Sequence, residues 1–413
     1  MSLPAEDTSL EHHLNQSDPG VLSQVRKLWR GDSGMVPIVL GLAILVIYFQ
    51  VRNSVFLSAG NVTNLFVQAT VFILLGMAEI WLLLLGDIDL SVGYTMGVGA
   101  AITVILVDHQ FHWPWYAAFA VTLLATTGIA TLQGLIVIFF RLPSFIVTLA
   151  GLLFWEGMLI NLVDHQGIGG SISNENKVLY NLVNGNFTTV FTWIFMVVVV
   201  VFMAQSMVRA DQRRRSSGLV TRPRLVMAFK IGALAVAGIA LALLFNADRG
   251  TFIVLQGMPY AIPIDFAVLA AGSVILTKTK AGRYIYAIGG NSEAARRSGI
   301  NVNRYRLLAF ALTGLTTGIA SLLYASRLGG ISDNIDSSLV LYAVASAVIG
   351  GTSLFGGRGK MIHAVIGGIV IATIYNGMAL ISIGPATQYM AIALVLLAAV
   401  TIDSIARRGS TTN

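Results

Sequence analysis

The chemistry open to this chain rests on a few polar groups set among long apolar runs. Glu79, Glu156 and Asp265 fall inside such runs, and Asp403 lies near the end of one. A charge at the centre of a membrane helix costs about 2.5–3.5 kcal/mol on insertion scales, so such groups face a cavity, a partner side chain or a polar solute. Glu79 and Glu156 lie deepest. Two roles stay open for them: carrying a proton, or the more ordinary one of hydrogen bonding to a neighbouring helix or a polar solute. The segment 86–93, GDIDLSVG, places Asp87, Asp89 and Ser91 between glycines and ends on Gly93. Acidic groups there can satisfy the free amides of the next helix. A metal site needs more oxygen ligands than these, so none is expected.

The segment 350–360, GGTSLFGGRGK, brings Gly350, Gly351, Thr352 and Ser353 together with a Gly-Lys pair. A phosphate-binding loop would need a glycine five residues before Gly359-Lys360 and a hydroxyl after the lysine. Leu354 and Met361 occupy those places. A bent helix end or tight turn is expected instead. The chain has no cysteine, which excludes disulfides, thiolate metal sites and cysteine nucleophiles. His12, His13, His109, His112 and His165 fall in tails or loops, and His363 stands alone. With no paired acid and base, metal cluster or nucleophile, no catalytic residue is assigned and the chain is read as a non-enzyme.

The segment 290–299, GNSEAARRSG, is a polar, basic island between apolar runs. Gly290, Asn291, Glu293, Ala294, Ala295 and Gly299 would let a short helix pack closely on another surface. Arg296 and Arg297 could meet acidic groups on a partner.

Composition says what must hold these groups in place. Hydrophobic residues make up 56% of the 413 and charged residues only 11%, against about 25% charged in globular proteins. The expectation is an all-α, polytopic transmembrane helix bundle of ten to twelve spans, some broken or re-entrant. Candidate spans are 35–51, 64–86, 89–107, 114–140, 144–163, 189–208, 226–246, 260–277, 305–327, 338–356, 361–383 and 385–405. Each approaches the ~20 apolar residues that cross a bilayer, and the runs are too long for barrel strands. Gly93, Gly97 and Gly99, and Gly314 with Gly318, supply the small faces on which membrane helices pack.

The net charge of +7 does not point to nucleic acid, because the basic residues sit in short loops between spans. The loops 209–224 and 278–306 are rich in Lys and Arg, while those around 108–113, 164–188, 246–259 and 328–337 are poorer in basic residues and carry Asp108, Asp164, Glu175, Asp248, Asp333 and Asp336. That asymmetry places a tail of residues 1–34, both basic loops and a tail of residues 406–413 in the cytoplasm, flanking a membrane domain of residues 35–405. No apolar core with a cleavage site precedes the first span, so a removable signal peptide is not expected.

Five segments together resemble the permeases of bacterial sugar ABC importers, in the ribose, xylose and arabinose branch, and most of all the xylose type. They are 86–93, 142–151 (LPSFIVTLAG), 282–303 (GRYIYAIGGNSEAARRSGINVN), 348–357 (VIGGTSLFGG) and 376–378. The basic loop at 209–224 also looks xylose-like. The resemblance implies that 290–299 couples to an ABC ATPase subunit, with Glu293, Ala294 and Gly299 carrying the family spacing. It further implies a periplasmic or lipid-anchored sugar-binding protein, a second permease copy, and ATP with Mg held by the ATPase. The implied function is import of a monosaccharide, a pentose such as xylose, across the inner membrane by alternating access. The alternative is a proton-coupled secondary transporter of a small polar solute. Where many members carry two acids ahead of the GGTS turn, this chain has Val340 and Tyr342. Glu79 stands where a small or neutral residue is usual. Glu79, Trp155, Glu156 and Tyr342 are therefore the residues expected along a pathway.

Overall fold

The computed structural model describes residues 35–109, 111–166, 169–218, 224–250 and 254–408. The tail 1–34, the chain from 409 and part of the 209–224 loop lie outside the described residues. Nearly everything described is helical, because backbone amides in hydrocarbon must find partners within their own segment.

Eight helices among the described residues are long and apolar enough to span a bilayer. In chain order they are α2 (Ala59–Leu83), α4 (Trp115–Phe140), α5 (Ser144–Gln166), α7 (Thr189–Ser216), α8 (Arg224–Asn246), α9 (Ala261–Lys278), α12 (Val302–Leu328) and α14 (Met361–Leu380). Around them stand α1 (Met35–Arg52), α3 (Val92–Val104, continued by a π turn), α13 (Leu339–Ile349) and α15 (Pro385–Arg408). Three short helices lie outside the spans: α6 (Lys177–Asn184), α10 (Lys280–Gly290) and α11 (Ser292–Arg297). A small ribbon pairs β1 (Ser171–Ser173) antiparallel with β2 (Gly330–Ser332).

Side-chain caps mark the starts. Ser58 Oγ accepts from Asn61 N, Thr188 from Phe191 N, Thr279 from Gly282 N, and Asn301 Oδ1 from Arg304 N. The Ser58 cap explains why α2 begins five residues before the apolar run does. The span read as 338–356 is helical only to Ile349. Beyond it Gly351, Gly356 and Gly357 all adopt positive φ, and the chain closes into a turn.

Buried along most of its length, α2 is the axis of the bundle, with α12, α13 and α14 against it. The outer pair α7 and α8 turns most of its apolar surface outward, toward the place of lipid. Small residues set a close crossing of α3, α4 and α12. A Cβ on Gly314 would come within 2.7 Å of the Thr127 Cα, and one on Gly99 within 2.7 Å of Thr126 Cγ2.

Two helices do not cross alone. The chain turns at 84–86 and runs without regular structure through 87–89 before α3 starts, and it bends and turns between β2 and α13. Ser91, at the start of α3, bonds Gln133, which precedes the α4 end at Phe140 by two turns, about 10 Å of rise. The start of α3 therefore lies well inside the bundle. There Gly93 backs onto Val340, whose Cγ2 would sit 2.9 Å from a Cβ. The two half-helices α3 and α13 thus meet start to start and run toward opposite ends. Following the spans, residue 35, α10, α11 and the end of α15 share one end of the bundle, and the β-ribbon and α6 occupy the other.

Candidate functional site

Three polar groupings lie along the bundle. At the α10–α11 end, three backbone segments touch. A Cβ at Gly289 would collide with the Leu84 carbonyl oxygen and lie 2.6 Å from Gly357 N. Gly357 N in turn donates to Leu84 O at 2.9 Å. The end of α10 thus presses on both the loop that leads into α3 and the turn that follows α13. The 350–360 segment folds as a turn: Ser353 N donates to Arg358 O, and Thr352 Oγ1 shares a hydrogen bond with His363 Nδ1 at 3.2 Å. Gly350 packs on the His363 carbonyl, and Tyr286 on α10 donates to Gly359 O at 2.6 Å.

Beyond this junction α11 projects outward. Asn291 Oδ1 caps it by accepting from Ala294 N at 2.9 Å. Gly290, Glu293, Ala294, Arg296 and Gly299 are exposed, and Gly299 has φ +82°. Ala295 is buried and faces the protein rather than a partner. Arg297 is engaged by Glu293 at 3.2 Å across one exposed turn, so of the two arginines only Arg296 presents a guanidinium outside an ion pair.

The second grouping is buried at the start of α3. Of the two aspartates expected to cap this helix, Asp89 bonds just ahead of it: its Oδ1 accepts from Ser91 N and Ser91 Oγ at 2.8 and 2.6 Å, and not from a first-turn amide. Ser91 Oγ in turn accepts from Gln133 Nε2 at 2.9 Å. Asp87 instead pairs with Arg306 at the base of α12. Glu79 reaches Asp89 N with Oε2 at 3.5 Å, while its buried Oε1 meets no donor.

The third grouping lies toward the β-ribbon end. Tyr94 OH donates to Glu156 Oε1 at 2.9 Å. Asp336 Oδ1 accepts from Ser338 N at 2.9 Å, Ser338 Oγ at 2.5 Å and Tyr389 OH at 3.4 Å. Tyr342 is buried edge-on against Phe72, and its hydroxyl makes no hydrogen bond. Of the four residues expected along a pathway, the structure brings Glu156 and Tyr342 to this region and separates Glu79 from them. Trp155 is half-buried against the core beside Phe154.

Sequence reading alone missed Gly289, Arg306, Tyr94, Gln133 and Asp336. Asp87 signalled that some cation must approach, yet nothing local says which. Among the described residues no three His, Asp, Glu or Cys side chains gather as a metal site.

An all-helical bundle with two half-helices meeting inside it and a basic outward helix against their loops defines a polytopic membrane permease. Residues 61–400 match the family described as branched-chain amino acid transport system, permease component, and the chain belongs to that family. It is similar to the xylose transport system permease protein of Escherichia coli, with 33% identity over 96% of this chain and 100% of that one. The ribose import permease of Haemophilus influenzae is 29% identical over 88% and 91%, and the D-allose permease of E. coli 28% over 88% and 90%. No solved structure matches.

Proposed function

We propose that this chain is the membrane subunit of an ATP-driven importer, moving a monosaccharide, a pentose such as xylose, across a bacterial inner membrane by alternating access. The end bearing α10 and α11 faces the cytoplasm together with residue 35, in line with its excess of Lys and Arg. There α11 docks a separate ABC ATPase subunit, which holds ATP and Mg. A sugar-binding protein delivers solute at the β-ribbon end, and a second copy of the permease completes the pathway.

The observation carrying this reading is the backbone contact of Gly289 with Leu84 and Gly357. A push on α11 is transmitted through α10 to the loops of both half-helices, with no flexible side chain between. Those half-helices meet at Gly93 and Val340, so a small shift there opens or closes the centre of the bundle.

The test is reconstitution in proteoliposomes with the neighbouring-gene ATPase and binding protein. Uptake should require ATP, stop with vanadate and survive an uncoupler. Gly299→Asp, at an exposed site outside the packed core, should leave insertion intact and remove stimulation of ATP hydrolysis. Uptake that follows a proton gradient without the ATPase would establish the secondary-transport alternative instead.

A further inference from the structure

Asp336, Tyr342 and Glu156 have hydrogen-bonding capacity that the protein leaves unused. Among the described residues all three donors to Asp336 converge on Oδ1, and Oδ2 receives none. Glu156 takes Tyr94 on Oε1 alone. Tyr342 is 2% exposed, yet its hydroxyl lacks a partner. The neighbouring Ser338 gives its only proton to Asp336. A buried hydroxyl without a partner is costly, because it has given up its hydrogen bonds to water. Such a group is retained where a ligand or water completes it in another state.

These groups lie together. Gly93, next to Tyr94, packs on Leu339 and Val340 of α13, and Gly97, one turn on, packs on Ile335 and on Leu159 of α5, so the α3–α5 pair and the start of α13 meet around these side chains. The Gly93–Val340 contact adjoins them, two residues before Tyr342. Carboxylate oxygens and phenols backed by aromatic rings suit a neutral molecule rich in hydroxyls. Each carboxylate can take one or two hydroxyl donors, and a phenol can donate or accept.

On the reading of this chain as a sugar permease, we propose that Asp336, Tyr342 and Glu156 form a low-affinity stopping place for a neutral polyhydroxyl solute, beside the junction of the two half-helices. The solute's hydroxyls bond Asp336 Oδ2 and the free oxygen of Glu156, and Tyr342 swings its hydroxyl onto the solute as that junction opens. A few hydrogen bonds exchanged for those the solute makes to water hold it only weakly. Weak holding lets the solute leave toward the cytoplasm.

The experiment uses the full complex in proteoliposomes with whichever of radiolabelled xylose, ribose and allose the parent takes up best. Tyr342→Phe removes one oxygen, and Asp336→Asn keeps the acceptor for Ser338 N. Uptake and binding-protein-stimulated ATP hydrolysis are measured together, with melting temperature in detergent as the folding control. Both variants should keep hydrolysis within twofold of the parent while sugar moved per ATP falls at least fivefold. Tyr116→Phe, on the outward surface, should change neither. Sugar per ATP within twofold of the parent in Tyr342→Phe, with melting unchanged, overturns the stopping place and leaves the importer reading standing. A parent complex that takes up none of the three sugars with ATP overturns both.

Discussion

Arg306, in the second turn of α12, grips Asp87 with two parallel hydrogen bonds, Nε to Oδ2 at 2.6 Å and Nη2 to Oδ1. This fork anchors the irregular stretch before α3 to the base of α12. The half-helix start is thereby fixed relative to the helix that follows α11. Planar, bidentate geometry suits Arg here and not Lys.

Breaking that fork from one side leaves a nearly buried charge unpaired. Arg306→Ala should destabilise the protein by about 2 kcal/mol, less than the 3–5 kcal/mol of a wholly buried pair because the arginine is 27% exposed. The double variant Asp87→Asn with Arg306→Gln should recover part of the loss. Thermal unfolding of the parent, Asp87→Asn, Arg306→Gln and this double variant in detergent measures the coupling; additive losses would show that the pair contributes no stability.

Gly289→Val should separate ATP hydrolysis from transport. Its side chain cannot fit against the Leu84 carbonyl and Gly357 N without moving α10 away. Binding-protein-stimulated uptake should drop more than tenfold, whereas Gly290→Ala, one residue on with open space around it, should stay near the parent. Equal uptake in both variants would remove α10 from the transmission path.

Glu79→Gln tests what the buried acids do. Among the described residues no ion pair includes Glu79, which shares its surroundings with Asp89. The amide keeps an acceptor for Asp89 N and removes a carboxyl from beside another, so stability should be unchanged or about 1 kcal/mol higher. ATP-driven uptake should persist. A collapse of uptake with melting intact would give Glu79 the proton-carrying role considered from sequence.

Gly314→Ala should cost about 1–3 kcal/mol through overpacking at the α4–α12 crossing, where Thr126, Thr127 and Ala130 already occupy the space. Gly128→Ala, with nothing within 4 Å, serves as the control. A melting temperature equal for the two would sink the claim that Gly314 sets this crossing.

Much of this architecture can be read from local pattern. Apolar run length marks the helices, because a chain in lipid must satisfy its amides within each run. The failed phosphate-loop match at Leu354 and Met361, and the polar island at 290–299, are equally local, and α11 indeed stands out from the bundle as an exposed helix. Hydropathy could not tell that α3 and α13 start inside the bundle, since a half-helix entered by an irregular segment has the same apolar composition as a full crossing. Nor could it show that Ala295 faces inward while Ala294 faces out.

Spacing and composition determined that this is a membrane bundle, where its helices run and which end is basic. Tertiary packing alone decided that Asp87 finds Arg306, 219 residues away, that Asp89 and Glu79 share one buried place, and that Glu156 and Tyr342 stand near Asp336. The reason is range. A helix is selected by hydrogen bonds four residues apart, whereas a side-chain pairing across the chain depends on which helix faces meet, and that is a property of the packed whole.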